Sequence, residues 1–180
     1  NIELKSLLED VEEEVGGFGG GDLKDGVYHT RLSAKDSGDD GHDYYRMAWV
    51  VRCGQIIMPD GKPMTLVGKH ASVFVRWFNE NATSQGWMRK IFWGQFIKPL
   101  TTYIPANRTA EVSEALNALR TVGTPYDFQA AMAALTGALD GIDIYIQQKT
   151  KEEGGLPNFQ VVPADKRTAT CACALESVTV

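Results

Sequence analysis

The hydrophobic period of this chain changes twice, and that change limits its possible folds more than any other feature. Gly26–Ser33, Tyr44–Cys53 and Gly68–Asn79 are rich in aromatic and β-branched residues, and in the second and third apolar positions recur at every second residue. Successive strand side chains point to opposite sides, so these segments read as strands. Two connections carry turn residues, Asp36-Ser37-Gly38-Asp39-Asp40-Gly41 and Pro59-Asp60-Gly61-Lys62-Pro63. Three antiparallel strands in a meander are therefore expected.

Helical spacing replaces alternation after Asn79. One helix is expected over Ser84–Ile97, stopped by Pro99, and a second over Thr109–Val122, with Val112, Ala115, Leu116 and Leu119 on one face and Gly123 beyond its end. A third starts at Thr124, an N-cap residue, with Pro125 in the first helical position, and is expected to close at Gly137 after Leu135. Period two then returns. Ile142, Ile144 and Ile146 alternate with Asp143, Tyr145 and Gln147, and a last strand is expected around Phe159–Val162.

Upstream, Ile2, Leu4, Leu7, Leu8, Val11 and Val15 gather on one side of an acidic amphipathic helix, followed by the glycine-rich run Gly16-Gly17-Phe18-Gly19-Gly20-Gly21. The expected organisation is thus an N-terminal helix and hinge over 1–22, a main domain over 23–165 with a helical insertion at about 84–137, and a tail over 166–180. Five strands with helices between the third and fourth is the element order of the OB-fold. The fold class expected is accordingly mainly β, a five-stranded OB-fold-like barrel. Such barrels often bind oligonucleotides on strands 2 and 3 and the adjoining loops.

Alternation also sorts the strand residues into faces. In the second strand, Tyr45, Met47, Trp49, Val51 and Cys53 form the apolar face, leaving Tyr44, Arg46, Ala48, Val50 and Arg52 outside. In the third, Ala71, Val73, Val75 and Trp77 are core, with His70, Ser72, Phe74, Arg76 and Phe78 outside. His29 and Arg31 join this outer face from the first strand, and Tyr145, Gln147 and Lys149 from the fourth. Cations that track phosphates, mixed with rings that stack on bases, are what a single strand of nucleic acid requires. Candidate binding residues are Tyr44, Arg46, Arg52, His70, Phe74, Arg76, Phe78, Tyr145 and Lys149. Trp49 and Trp77 read as core, and Trp87, Phe92, Trp93 and Phe96 as helix packing, with Arg89 and Lys90 able to extend a basic groove.

A net charge of −5 does not oppose this assignment, because the charge is segregated. Residues 1–45 hold 12 acids and 4 bases; residues 46–120 hold 4 acids and 10 bases, together with all four tryptophans. Exposed charges are screened beyond roughly 8–10 Å, so a local basic surface attracts a polyanion on an acidic protein.

Other classes lack their signatures. No apolar run reaches the roughly 20 residues of a membrane helix, and Asn1-Ile2-Glu3-Leu4-Lys5 carries no secretory pattern, so an intracellular protein is expected. Cys53 lies far from Cys171 and Cys173, whose spacing is not that of a zinc site, so free thiols are expected. The acidic loop Asp36, Asp39, Asp40, Asp43 with His42 matches no EF-hand spacing and reads as a solvated turn. Asp25, Asp140 and Asp143 stand apart, the last expected to face solvent, so no metal site, cofactor or catalytic residue is expected. Nucleophile elbow, Walker loop and dinucleotide fingerprint are all missing. A protein-interaction or virion accessory domain, using the aromatic face for a partner chain, is the alternative function, and a metal-dependent nuclease ranks behind it.

With Leu23-Lys24-Asp25-Gly26-Val27-Tyr28, Tyr45-Arg46-Met47-Ala48-Trp49-Val50-Val51, Gly68-Lys69, and Leu139-Asp140-Gly141-Ile142-Asp143-Ile144-Tyr145-Ile146, the chain resembles a family of bacteriophage-encoded single-stranded DNA-binding proteins, over roughly residues 1–163. Phe159 and Pro163 stand where that family closes its last strand. The resemblance implies an OB-fold without enzymatic activity that coats single-stranded DNA during phage replication or recombination in the host cytoplasm, alongside other replication or recombination proteins. It defines no oligomeric state. Two departures stand out: Gly141-Ile142 where the family often has glycine and lysine, and a C-terminus, Glu176-Ser177-Val178-Thr179-Val180, without the acidic, aromatic-tipped tail that recruits partners in bacterial counterparts.

Overall fold

The computed structural model describes residues 23, 25–39, 44–53, 55–57, 59–150 and 157–166. The helix and hinge expected over 1–22, and the tail beyond 166, lie outside these residues. Five strands form one antiparallel sheet: β1 (Gly26–Asp39), β2 (Tyr44–Val51), β5 (His70–Arg76), β6 (Asp143–Thr150) and β7 (Pro157–Val162), in the order β5-β2-β1-β6-β7. Strands β3 (Gln55–Ile57) and β4 (Pro63–Thr65) form a small separate hairpin, where the sequence reads only as a turn. Gly61 at its tip has φ +83°, a conformation that costs a residue with a Cβ. The sheet is open, with β5 and β7 as its edges. The architecture is therefore mixed α/β, a five-stranded antiparallel sheet with three helices; the five strands and the helices between the third and fourth are as expected, the helical share is larger than the mainly β class expected, and the sheet is not closed into a barrel.

Strand β1 organises the sheet. Its first part, Gly26–Arg31, pairs with β6, and Thr30–Asp39 pairs with β2, so one long strand serves two neighbours. Its expected end at Ser33 is overrun by six residues. Between the pairs Ser33↔Ala48 and Gly38↔Arg46, four residues of β1, Ala34 to Ser37, stand opposite Met47 alone. This is an extended β-bulge, which bends and twists the strand.

Helices α1 (Ala82–Ile91), α2 (Thr109–Arg120) and α3 (Pro125–Leu139) lie between β5 and β6 in sequence. Helix α1 does not stop before Pro99. It continues as a π-helical segment, Phe92–Ile97, and one more turn to Leu100. The Lys98 N–H bonds the carbonyl of Trp93, five residues back, so the winding has already changed where proline brings no N–H. Helix α3 starts as expected, the Thr124 hydroxyl accepting from the Asp127 N–H at 3.1 Å. It runs past Gly137, whose φ is not positive, and ends before Gly141 at φ +78°.

The apolar face predicted by alternation is the core. Met47, Trp49, Val51, Ala71, Val75, Ile144 and Ile146 join Phe92, Phe96, Phe128, Leu135 and Leu139 of the helices in one buried cluster. Trp77 stacks on Phe128 with centroids 5.9 Å apart, and Trp49 tilts against Phe96 at 5.8 Å. Tyr45 reaches through this layer to the Thr136 hydroxyl, 2.9 Å away. Aromatic rings bury large apolar areas and pack well edge-on or offset, so these pairs join sheet and helices firmly.

Candidate nucleic-acid interface

Antiparallel pairing of β2 with β5 sets the opposite, outer face of the sheet. The register places Tyr44 opposite Arg76 and Arg46 opposite Phe74. Directly opposed residues in such a ladder have Cβ atoms about 5 Å apart, so these four positions form a square in which arginine and aromatic residues alternate along and across the strands. Arg46, Phe74 and Arg76 are half-buried, and Tyr44 is nearly covered at 9% exposure. Nε of Arg76 is shielded from solvent and has no hydrogen-bond partner among the described residues.

Next along the same face, Ala48 stands opposite Ser72, and both are buried. Here the β1 bulge meets β2. The Ala48 N–H donates to the Ser37 hydroxyl at 2.9 Å, and Ser37 in turn donates to the Ser33 carbonyl at 2.7 Å. Arg46 Nη2 donates to the Asp36 carbonyl at 2.6 Å, and the Asp36 carboxylate lies 3.9 Å from His70 Nε2 on β5. An acidic residue of the loop read as a solvated turn thus sits on the candidate face. His70 itself is opposite Val50, and Arg52 follows just beyond the end of β2.

The β1–β6 part of the face is built differently. Arg31 is opposite Asp143, and His29 opposite Tyr145. The Arg31 guanidinium donates through Nε and Nη2 to both carboxylate oxygens of Asp143, at 2.5 and 3.0 Å. His29 Nε2 lies 3.3 Å from the same carboxylate, and its ring meets Tyr145 edge-on at 5.5 Å. Asp143 is only 4% exposed, so its expected solvent-facing position is corrected: a bidentate arginine lets the carboxylate be buried. Burial holds the His29 imidazole below the ordinary histidine range; Asp143 opposes that shift, while Arg52 and Arg31 add to it.

Of the nine candidate residues, five are gathered by the β2–β5 register: Tyr44, Arg46, His70, Phe74 and Arg76. Four are placed elsewhere. Arg52, past the end of β2, donates its N–H to the His29 carbonyl at 2.8 Å and lies beside that histidine. Tyr145 is 2% exposed against His29. Lys149 is exposed on β6 opposite Asn158, past the point where β1 begins to pair. Phe78 follows β5 and turns to the helices, meeting Phe128 edge-on at 6.4 Å. Arg89 does not extend a groove: its guanidinium lies over the rings of Trp77 and Phe78 and donates to the Trp77 carbonyl at 2.9 Å. Arg31, Asp143 and Asp36 are the residues that strand faces alone do not single out. Alternation puts Arg31 and Asp143 on one face, but only the register makes them neighbours.

Among the described residues, no group of three or more histidine, cysteine or acidic side chains could hold a metal ion. Asp40, His42 and Asp43 of the acidic loop lie outside those residues. Cys53 is disulfide-bonded, correcting the free thiol expected there; distance along the sequence does not limit approach in the fold. None of the helices described is long and apolar enough to cross a membrane. The chain matches no family model and no curated protein sequence.

Proposed function

We propose that this protein binds single-stranded DNA with little sequence preference, as a non-enzymatic coating protein in the replication or recombination of a bacteriophage genome within its host. The observation that carries the reading is the β2–β5 register, which alternates guanidinium and ring in both directions across four positions. Phosphates recur along a strand beside bases, and a surface that alternates cations with π-faces answers that repeat without reading base edges. The strand order supports the OB-type barrel for this reading: a long first strand shared by the second and fourth strands of the sheet, with helices between the third and fourth. In that arrangement β2 and β5 are the second and third strands, the ones that carry the oligonucleotide face. The DNA preference and the phage setting rest on the sequence resemblance.

The test is fluorescence anisotropy of a labelled oligothymidine of about 30 nucleotides, titrated at low and moderate salt against a duplex of equal length. Binding tighter to the single strand, weakening with salt, and accompanied by tryptophan quenching is the expected result. No binding to the single strand at low salt overturns the proposal and moves the face to the protein-interaction reading.

A further inference from the structure

We infer that Asp36 fills a phosphate subsite of this face in the unliganded protein, standing between Arg46 and His70 where a backbone phosphate of the bound strand goes. The inference rests on the single-strand reading and assigns one subsite within it. Three observations converge. First, the bulge commits four residues of β1 against one of β2, which carries Asp36 beyond its own strand to within 3.9 Å of His70 on β5, across β2. Second, Asp36 meets the two basic side chains with separate acceptors, its carbonyl taking Arg46 Nη2 and its carboxylate facing His70. Third, the carboxylate is held in place by the Ser33 hydroxyl, which donates to Oδ2 at 2.9 Å, while the Asp36 N–H donates back to Ser33 Oγ at 3.2 Å. A carboxylate and a carbonyl presented together to an arginine and a histidine offer the oxygen acceptors that a phosphate offers. The Asp36 side chain is 42% exposed, so it can be displaced without opening the core.

Occupation by Asp36 has a defined consequence. Every strand that engages Arg46 and His70 must first exclude this carboxylate, whose charge repels the incoming phosphate. The chain thereby weakens its own hold on polyanions that supply charge without bases to stack. Bases on the half-buried Phe74 ring supply the additional binding that displacement requires.

The experiment compares the wild-type chain with Asp36→Asn, which keeps an oxygen for Ser33 to donate to and removes only the charge. In oligothymidine titrations, Asp36→Asn is expected to bind about fivefold tighter at low salt, with a log-affinity slope against log salt steeper by about 0.7, one further phosphate contact. Adding Arg46→Ala to Asp36→Asn should abolish the gain. An independent arm uses inorganic phosphate as the probe and reads the His70 ring by NMR: its resonances should respond to phosphate at lower concentration in Asp36→Asn than in the wild type. Unchanged affinity, slope and His70 response in Asp36→Asn overturn the subsite. Loss of oligothymidine binding in both proteins, with the His70 response retained, upholds the subsite and removes the single-strand reading.

Discussion

The two halves of the outer sheet face use the same residue types for opposite ends. On β2 and β5, register sets Arg46 and Arg76 opposite Phe74 and Tyr44, rings that neutralise nothing. On β1 and β6 it sets Arg31 opposite Asp143, and both ends of the carboxylate are taken by one guanidinium. In the first arrangement the cross-strand partner carries no charge to offset the guanidinium, and in the second it offsets it inside the fold. An arginine on a strand is therefore neither a binding residue nor a structural one until its cross-strand partner is known. The difference is also mechanical. The Asp143 cluster sits where β1 passes from one neighbour to the other, so it ties β6 to the strand that carries the rest of the sheet.

The contrast is broken most forcefully at Asp143. Asp143→Ala leaves Arg31 and His29 without their buried anion and should lower stability by about 3 kcal/mol, read from the midpoint of urea unfolding. Oligothymidine affinity of the folded fraction should stay near the wild-type value; a large loss would mean that the two halves act as one site. Arg46→Ala with Arg76→Ala should do the reverse. Affinity should fall about thirtyfold and the salt slope flatten by about 1.4, for two phosphate contacts, while the unfolding midpoint stays close to wild type. Phe74→Ala should cost about tenfold in affinity with the salt slope unchanged, because a lost stacking platform releases no counterions. A change in slope would assign Phe74 to positioning Arg46 instead of to the bases.

Faces were legible in the sequence, and partners were not. Strict alternation over Tyr44–Cys53 assigns Trp49 to the core and Arg46 to the outside because the period of a strand is two and one side is wholly apolar. The start of α3 was equally legible, since Thr124, Pro125 and Asp127 are each suited to their positions by local chemistry. Register is different in kind: it depends on how two distant segments slide past each other. That is why Asp143 reads as a lone solvent-facing acid but lies buried beneath Arg31. The bulge escaped for a related reason. Asp36-Ser37-Gly38 has turn composition, yet β1 carries it in a strand, where the Ser37 hydroxyl accepts the Ala48 N–H. Gly137 shows the limit of composition too, because a helix stops where backbone turns left-handed, at Gly141, and not wherever glycine occurs.

The smallest expected effect sharpens the comparison through pH. His29 faces Asp143 from β6, with Arg31 on its own strand and Arg52 beyond β2, and burial keeps it neutral more strongly than the carboxylate draws a proton to it. Its protonation range is thus lower in the folded chain than in the unfolded one, where it stays near 6.5. Between those two ranges the unfolded chain binds more protons, so stability rises with pH there. The contribution of His29 is complete above the ordinary histidine range and is lost as pH falls through it. Urea midpoints taken at steps between pH 7.5 and pH 5 should therefore decline on the acid side, and His29→Gln should decline less over the same interval. A smaller decline in the wild type than in His29→Gln would show that Asp143 holds the imidazole charged in the fold. The β1–β6 half would then keep a net positive charge, and the contrast with the Arg46 and Arg76 half would be one of degree.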